Sequence, residues 1–600
     1  MMFRVCFQVV AVFVFALQSP AKAEQVSQLR VWHEAGQTFV TWREAVIPVP
    51  QANVSVQELK SFQRDIEQVL HLSFRIYRSA QPIRTVRGLK AIAEVPPLTA
   101  WNIDYYGLAP KPEDKALRYV LESGKEPVPP GTGVYVYNPP EAGKAYYAVT
   151  VLVNDKEDTA LDIGNTLQTP VDETVGVGLP VLQRVLKPAS FQYIDNPTLY
   201  YYVRWEVPPN TNVSSKAFDY VVAIPPSRAK PAPVGIHFHG WGGSLNHDYG
   251  WWFNAENGAI LVASNQDPYD WWTGYHERLG TGQPLKTKSD WLKGTVRPYT
   301  QRRMLSFLDW VATQWEVDLT RTFVAGSSMG GSGALMLALR FPQQIAWAVS
   351  WVGIHVPSMS PQFRESYEYV YGKPEWGVKF EDGTPVWDYF NNVWYLRRYL
   401  KRDIPFITFS NGKNDTAIGW QQAVTFYRAL QEARQPHMFI WGQEGHNQRA
   451  YMPGGGGERF LPIDIRTNQS LPAFTQCSLD NNPGTGDPED GDAVGQINAY
   501  LYWETDNIVD RTDGWEITVG LIGQAPRETA TVDITPRRRQ QFKTKQGDHF
   551  TWTNTSLRSN RAIQSGQVVA DRWGLITLEQ VLVGKSKNRI SITRVKSPAK

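Results

Sequence analysis

The sequence predicts an α/β domain on a mostly parallel sheet, flanked at both ends by β-sandwich domains. Three observations carry this. A Gly-x-Ser-x-Gly pentapeptide, Gly326-Ser327-Ser328-Met329-Gly330, stands between a strand-like and a helix-like run. After it, short apolar strands alternate with helical stretches, as parallel strands joined by crossover helices require. Before about residue 165 and after about residue 494, the pattern changes to short alternating strands between turn formers, the mark of antiparallel sandwiches.

At the N-terminus, Met1-Met2-Phe3-Arg4 is a short basic stretch, Val5 to Leu17 is apolar, and Ala21-Lys22-Ala23 is a small-residue cleavage site. Residues 1–23 therefore read as a cleavable signal, with a mature chain from Glu24 in a secreted or periplasmic location. The apolar run is too short to span a bilayer, and no membrane partner is expected. Cys6 falls within the signal, which leaves Cys477 as the single mature cysteine and allows no intramolecular disulfide. Losing Arg4 and Lys22 takes the formal charge from +3 to +1 (3 − 2), a balance that gives no case for nucleic acid as a partner.

Residues 24–165 read as the first sandwich, with strands such as Phe39-Val40-Thr41-Trp42, Phe74-Arg75-Ile76-Tyr77 and Tyr146–Val151. With a tryptophan in the second strand and tyrosines in a late one, this segment resembles a fibronectin type III domain. The stretches Pro48–Leu70 and Ile92–Pro130 are longer than that fold needs. Val181 to Glu206, including Leu199-Tyr200-Tyr201-Tyr202-Val203, reads as antiparallel edge strands leading into the main sheet, so the α/β domain is placed at 180–475.

Within it, Thr320–Ala325 is a buried strand and Gly331–Arg340 a helix packed through small residues. A strand–turn–helix elbow of this kind lifts a serine hydroxyl clear of the sheet, and Ser328 is the candidate nucleophile. A hydroxyl is weakly nucleophilic at neutral pH and needs a base with a group to orient it. The strand Pro405–Ser410 ends in Asn411-Gly412-Lys413-Asn414-Asp415, and the strand His437–Trp441 ends in Gly442-Gln443-Glu444-Gly445-His446. Asp415 follows Ser328 by 87 residues (415 − 328), and His446 follows Asp415 by 31 (446 − 415), room for one αβ unit. An acyl-transfer serine also needs two donors for the oxyanion. The N–H of Met329 is one candidate. The other is the N–H of Gly240 or Trp241, in the loop His239-Gly240-Trp241-Gly242-Gly243 after the strand Val234–Phe238.

With these pieces in place, residues from about Tyr220 to Leu471 resemble an α/β-hydrolase. They are most similar to secreted feruloyl and acetyl esterases, poly(hydroxyalkanoate) depolymerases and enzymes with a prolyl-oligopeptidase-type catalytic domain. The resemblance rests on His239-Gly240-Trp241-Gly242-Gly243, with Trp241 where a glycine is usual, on Gly326–Gly331, and on Asp415 and His446. It implies hydrolysis of an ester or amide through an acyl-serine, with His446 as base and then acid and Asp415 holding its tautomer. The blade repeat of prolyl oligopeptidases is missing, which disfavours a peptidase.

Aromatic residues crowd the carboxyl ends of the strands, where ligands meet an open α/β sheet. Tyr249-Gly250-Trp251-Trp252 follows the oxyanion loop, and Asp270-Trp271-Trp272-Thr273-Gly274-Tyr275-His276-Glu277 follows the next strand. Tyr367, Tyr369, Tyr371, Trp376, Trp387, Tyr389 and Trp394 fall in an insertion before the acid's strand. Half of such rings are expected to pack the core. Trp271, Trp272, Tyr275, His276, Glu277 and Trp387 are taken as candidates for substrate contact, since flat rings suit aryl groups and the apolar faces of sugars. His237 and His239 share a strand face but lack a third ligand, so no metal and no other cofactor is expected.

Residues 476–493, with Asn481-Asn482-Pro483-Gly484-Thr485-Gly486-Asp487-Pro488-Glu489-Asp490-Gly491-Asp492, read as a linker. Residues 494–600 read as the second sandwich, and Arg537-Arg538-Arg539 as a solvated strand end. The expectation is a secreted serine hydrolase acting on a polymeric or aryl ester, such as a feruloyl or acetyl ester on a polysaccharide. A polyester depolymerase is the alternative, and a non-catalytic polymer-binding protein on a hydrolase scaffold is the reading from another class.

Overall fold

Strands buried on both faces carry unbroken apolar runs, because helices cover each side of a parallel sheet. The computed structural model shows this pattern, and it describes residues 25–44, 49–107, 110–191, 194–246, 258–455, 457–459 and 464–595. The signal and the Tyr249–Trp252 aromatic string lie outside the described residues. The chain divides into two compact units. Among the described residues, one comprises 25–183, 202–207 and 214–217, and the other 184–201, 208–213 and 218–595.

The first unit holds a three-stranded sheet of Ser27–Glu34, Gln37–Arg43 and Thr132–Tyr137, and a second sheet built on Gly143–Val153 and Ser73–Ser79. All these pairings are antiparallel. Trp42 of the first sheet meets Phe74 of the second at 5.6 Å between ring centroids, within one apolar core. The stretch after Pro48 holds a helix, Val56–Leu70, that the strand-based reading missed. Its start was written in the sequence as a capping box: the Ser55 N–H donates to Glu58 Oε2 (2.9 Å), and the Glu58 N–H donates to Ser55 Oγ (3.2 Å).

The second unit is built on a long sheet. The strands of that sheet are β1 (Thr198–Glu206) and β2 (Lys216–Ile224), of which 202–206 and 216–217 are counted in the first unit, then β3 (Ala232–Phe238), β4 (Ile260–Ser264), β5 (Val317–Ser327), β6 (Trp347–Trp351), β7 (Phe406–Gly412), β8 (His437–Gly442) and β9 (Gly495–Ile497). They lie in the order β1-β2-β4-β3-β5-β6-β7-β8-β9, with Val181–Leu186 outside β1. From β4 to β8 all neighbours are parallel, whereas β2 joins β4 antiparallel. Helices α1 (Tyr299–Gln314), α2 (Met329–Arg340), α3 (Arg364–Tyr371) and α4 (Trp420–Glu432) fall between these strands in sequence. The parallel strands with their crossover helices make this an α/β sheet, with antiparallel strands at its edges.

After β8 the chain departs from the expected linker-plus-domain order. Leu471–Thr475 pairs with Thr529–Arg537, which pairs with Leu578–Gly584, in a three-stranded antiparallel sheet. The chain then returns, and β9 pairs antiparallel with β8, Ile497 opposite Phe439. Only beyond that does a five-stranded antiparallel sheet form, from Leu501–Arg511, Gly514–Leu521, Asn588–Arg594, His549–Ser556 and Arg561–Val569. Residues 476–493 are therefore a fixed crossing rather than a linker. Lys413 Nζ donates to the carbonyl of Asp490 (2.6 Å), and Trp441 Nε1 donates to that of Asp492 (2.9 Å). Turn-rich composition identified the loop but not the partners waiting for its carbonyls. Cys477 in this crossing is buried, and burial pushes its thiol up to about 12.

The arginine run is a second correction. Arg537 is fully buried and Arg538 nearly so. Arg537 Nε pairs with Asp403 (2.7 Å), and its remaining nitrogens donate to the carbonyls of Ala433, Leu400 and Arg402. Arg538 donates to the carbonyls of Ala346, Ile345 and Arg466. A planar fork of five donors suits a site where several chain ends converge on one spot. Arg537→Ala should strip four acceptors at once and destabilise the protein by about 3 kcal/mol or more. The check is the urea midpoint, and a change under about 1 kcal/mol would show that the arginine is dispensable.

Candidate active site

The nucleophile's turn is set by close backbone packing. Ser328 has φ 57° and ψ −119°, a strained conformation for a residue with a side chain, and stands at the start of α2 without a side-chain cap. Its N–H donates to the Trp351 carbonyl at 2.8 Å. A Cβ on Gly330 would stand 2.0 Å from the Phe238 carbonyl oxygen, and one on Gly326 would stand 2.3 Å from the Gly330 carbonyl carbon. Glycine is the one residue that fits at either place. This contact sets the start of α2 against the end of β3, from which the His239–Gly243 loop leaves.

That loop lies beside the serine. The Cβ position of Gly240 falls 3.5 Å from the Ser327 carbonyl oxygen and 3.8 Å from Ser328 Cβ. The loop closes on itself through Gly243 N–H to the Gly240 carbonyl (3.0 Å), and His239 Nδ1 lies 2.8 Å from that same carbonyl. Met329 N–H is in the first turn of α2, where N–H groups have no intrahelical acceptor.

The histidine and the carboxylate come together because their loops are bonded to each other. Lys413 N–H donates to the Gly442 carbonyl (2.9 Å) and Asn414 N–H to the Glu444 carbonyl (3.3 Å). A Cβ on Gly412 would stand 2.1 Å from the Glu444 carbonyl oxygen, so the two strand ends are in backbone contact. Asp415 is buried, and its Oδ1 accepts from the N–H groups of Ala417 and Ile418, both at 3.1 Å. Its Oδ2 lies 2.8 Å from His446 Nδ1, and His446 Nε2 lies 2.8 Å from Ser328 Oγ. A carboxylate only accepts, so Nδ1 carries the proton, and Nε2 is left to accept from the serine hydroxyl. The structure thus brings Ser328, His446, Asp415, Met329 and the Gly240-Trp241 loop into one place.

The other candidate residues divide differently. Trp241 is 45% exposed. It sits among Tyr269, Trp271 and Phe363, with ring centroids at 5.4, 6.0 and 6.4 Å. Half-buried Tyr269 and Phe363 are wall residues that the sequence reading missed. Tyr269 stood unremarked one residue before the Asp270-Trp271-Trp272 string. Phe363 opens the insertion that carries Tyr367, Tyr369 and Tyr371.

Trp271, Trp272, Tyr275 and His276 are buried and present no face to a substrate. Trp272 stacks on Phe238 (4.2 Å, 5°), and its Nε1 donates to the His239 carbonyl at 3.1 Å. Trp271 stacks on Tyr367 (4.3 Å) and donates from Nε1 to Ser366 Oγ at 2.6 Å. His276 Nε2 lies 2.9 Å from the Trp291 carbonyl, and burial pulls its pKa below the ordinary value. Glu277 pairs with Arg297 (3.0 Å) and accepts from the Thr295 N–H (2.9 Å). Trp387 is half-buried, and its Nε1 donates to the Gly372 carbonyl (2.9 Å). Trp271 and Trp272 brace the wall of the site, while Tyr275, His276, Glu277 and Trp387 are engaged by partners of their own. Position at a strand end told the sequence reading where they lie, but not which way each ring faces.

The braces extend beneath the oxyanion loop. Trp271 and Trp272 have φ of 60° and 59°, and the Trp272 N–H donates to Asp270 Oδ1 (3.1 Å) and Gln266 Oε1 (3.3 Å). Burial pushes Asp270 up to about 7, against the pull of Thr300 and Arg303. The Cβ position of Gly333 falls 2.3 Å from Trp272 Cβ, so this tryptophan lies directly on α2 as well as under the His239 carbonyl.

Residues 293–460 match a family model named Esterase, described as "Putative esterase", and this span includes Ser328, Asp415 and His446. No curated protein matches the chain in sequence. Among solved structures, an S-formylglutathione hydrolase from Agrobacterium tumefaciens is 15% identical with a TM-score of 0.32, covering 44% of this chain and 92% of its own. Acetyl xylan esterase 1 from Thermoanaerobacterium sp. JW/SL YS485 is 15% identical with a TM-score of 0.30, over 46% of this chain and 85% of its own. A ferulic acid esterase is 17% identical with a TM-score of 0.28, over 42% and 92%.

Gly330→Ala should force β3 and α2 apart, at about 2 kcal/mol or more, and lower the thermal midpoint accordingly. Gly523, whose Cβ position has nothing within 4 Å, supplies the control: its alanine variant should melt with the wild type.

Proposed function

We propose that the protein is a serine hydrolase of carboxylic esters, acting through an acyl-serine. The observation that carries this is the line Ser328 Oγ–His446 Nε2 and His446 Nδ1–Asp415 Oδ2, two contacts of 2.8 Å on a strained elbow. In this reading Ser328 Oγ attacks the ester carbonyl carbon as its proton passes to His446 Nε2. Asp415 keeps Nδ1 protonated and stabilises the imidazolium, and His446 then returns the proton to the departing alkoxide. The N–H groups of Met329 and of Gly240 or Trp241 hold the oxyanion, and water repeats the sequence on the acyl-enzyme.

The substrate proposed is a feruloyl or acetyl ester attached to a polysaccharide. The Trp241, Tyr269 and Phe363 wall beside the serine supports an aryl acyl group, since flat rings offer stacking area at low entropic cost. The basic, apolar and small-residue pattern of residues 1–23 supports a secreted or periplasmic enzyme that meets its polymer outside the cell. A polyester would use the same wall, and the test below separates the two.

Wild type and variants are assayed on p-nitrophenyl acetate and butyrate, methyl ferulate, a hydroxybutyrate oligomer and a chromogenic proline peptide. Ester turnover should fall by about 10³-fold or more in Ser328→Ala and in Asp415→Asn, which disturbs the tautomer. A fluorophosphonate should label wild type and spare Ser328→Ala. Activity that survives Ser328→Ala would sink the mechanism. Preference for the hydroxybutyrate oligomer would replace the polysaccharide ester by a polyester.

A further inference from the structure

The insertion that carries α3 has two working faces. On one, Phe363 meets Trp271 at 5.3 Å and Trp241 at 6.4 Å, and buried Tyr367 stacks on Trp271, so the start of α3 belongs to the wall beside Ser328. The other face borders a groove of about 470 Å³, lined among others by Gln283, Trp291, Glu365, Tyr369, Lys373 and Trp376. The groove takes no part in the chemistry above.

Its chemistry is mixed in a particular way. Tyr369 is 60% exposed, an unusual state for a large ring, while Trp376 packs half-buried on Trp291 at 6.1 Å. The Trp291 Nε1 is engaged by the Leu285 carbonyl (3.1 Å), so the floor of the groove is apolar. Around the rings stand an exposed carboxylate (Glu365), an exposed amide (Gln283), and Lys373 with its Nζ 5.8 Å from the Trp376 ring centroid. Glu368, paired with Arg364 at 3.1 Å, adds a second carboxylate. Flat rings with donors and acceptors at their rim match a pyranose or furanose, which has an apolar C–H face and a girdle of hydroxyls. Two carboxylates disfavour a phosphate-bearing ligand, and the polar rim disfavours an acyl chain.

We propose that this groove is a glycosyl subsite for the carbohydrate chain that bears the ester, an inference that rests on the polysaccharide-ester reading above. Tyr369 lies six residues beyond Phe363, about 9 Å along the helix axis and about a third of a turn away around it, so a sugar chain held at both places would pass around α3.

Calorimetric titration of the Ser328→Ala protein with unesterified arabinoxylo-oligosaccharides of four to six sugars tests this without turnover. Binding is expected, weakened about tenfold by adding Tyr369→Ala, as for loss of a central aromatic anchor. Tyr369→Phe keeps the ring and should stay within about threefold. In the Ser328 enzyme, Tyr369→Ala should lower turnover of a feruloylated arabinoxylo-oligosaccharide relative to methyl ferulate by a similar factor. No heat of binding, equal affinity in Tyr369→Ala, or an unchanged ratio of the two substrates would each overturn the subsite. Because the titration needs no catalysis, absence of any esterase activity would strike the hydrolase reading and leave the groove to be judged on binding alone.

Discussion

The candidate site is organised by one backbone contact, Gly330 of α2 against the carbonyl of Phe238 at the end of β3. Because no side chain intervenes, the first turn of the helix and the loop after the strand share a single position. That shared position puts the Gly240 peptide beside Ser328 and sets the Met329 N–H in the same neighbourhood. Two donors on separate chain segments can serve one oxyanion only if the segments cannot move apart. Trp272 locks them from below, stacked on Phe238, bonded to the His239 carbonyl and seated against Gly333. The cost is concentrated in unfavourable backbone, at Ser328 and at the Trp271-Trp272 pair with positive φ.

The histidine's side of the site depends on a strand from much later in the chain. Without β9, β8 would be the edge of the sheet, and edge strands fray and recruit partners. Its carboxyl end leads directly into the loop that holds His446. Pairing with β9 through Phe439, Ile440 and Trp441 gives that loop a root inside the sheet. Lys413, two residues before Asp415, reaches the carbonyls of Asp490 and Asp492 in the same crossing. The crossing thus ties the acid's loop and the histidine's strand to one element, and Arg537 and Arg538 hold the antiparallel sheet of Thr529–Arg537 to the end of α4 and to the chain just before β6 and β7 through backbone carbonyls. A polar anchor of this kind works because each carbonyl it meets is already fixed.

What could be read from the sequence follows from what each residue type can do alone. A serine between glycines, after a strand and before a helix, has few other uses, and an acid and a histidine at successive strand ends follow from chain order. The alternation of strand and helix was equally legible, and the antiparallel edge at β1 and β2 lay in the tyrosine-rich strand. The misreadings share a cause: they concern partners distant in sequence. Arg537-Arg538-Arg539 looks solvated until Asp403 and the carbonyls from 345 to 466 converge on it. Residues 476–493 look flexible until Lys413 and Trp441 take their carbonyls. The helix at Val56–Leu70 was within reach, since Ser55 and Glu58 form a capping box and apolar residues follow at helical spacing.

The aromatic residues make the same point about function. Richness in tryptophan and tyrosine marks a region but assigns no ring, because a ring that is stacked on both faces has nothing left to offer a ligand. Trp272, Tyr275 and Tyr371 are enclosed in this way, and their polar atoms are taken by His239, Thr211 and Thr273. Trp241 is the contrast, a large ring held among Tyr269, Trp271 and Phe363 and open on its other side, and Tyr369 is exposed as well. The enclosed rings restrict Trp241, so that stacking on a flat group there would cost little further ordering. Selectivity for a flat or sugar-bearing ester would then reside in very few residues, and their orientation would be inherited from the buried cluster beneath them.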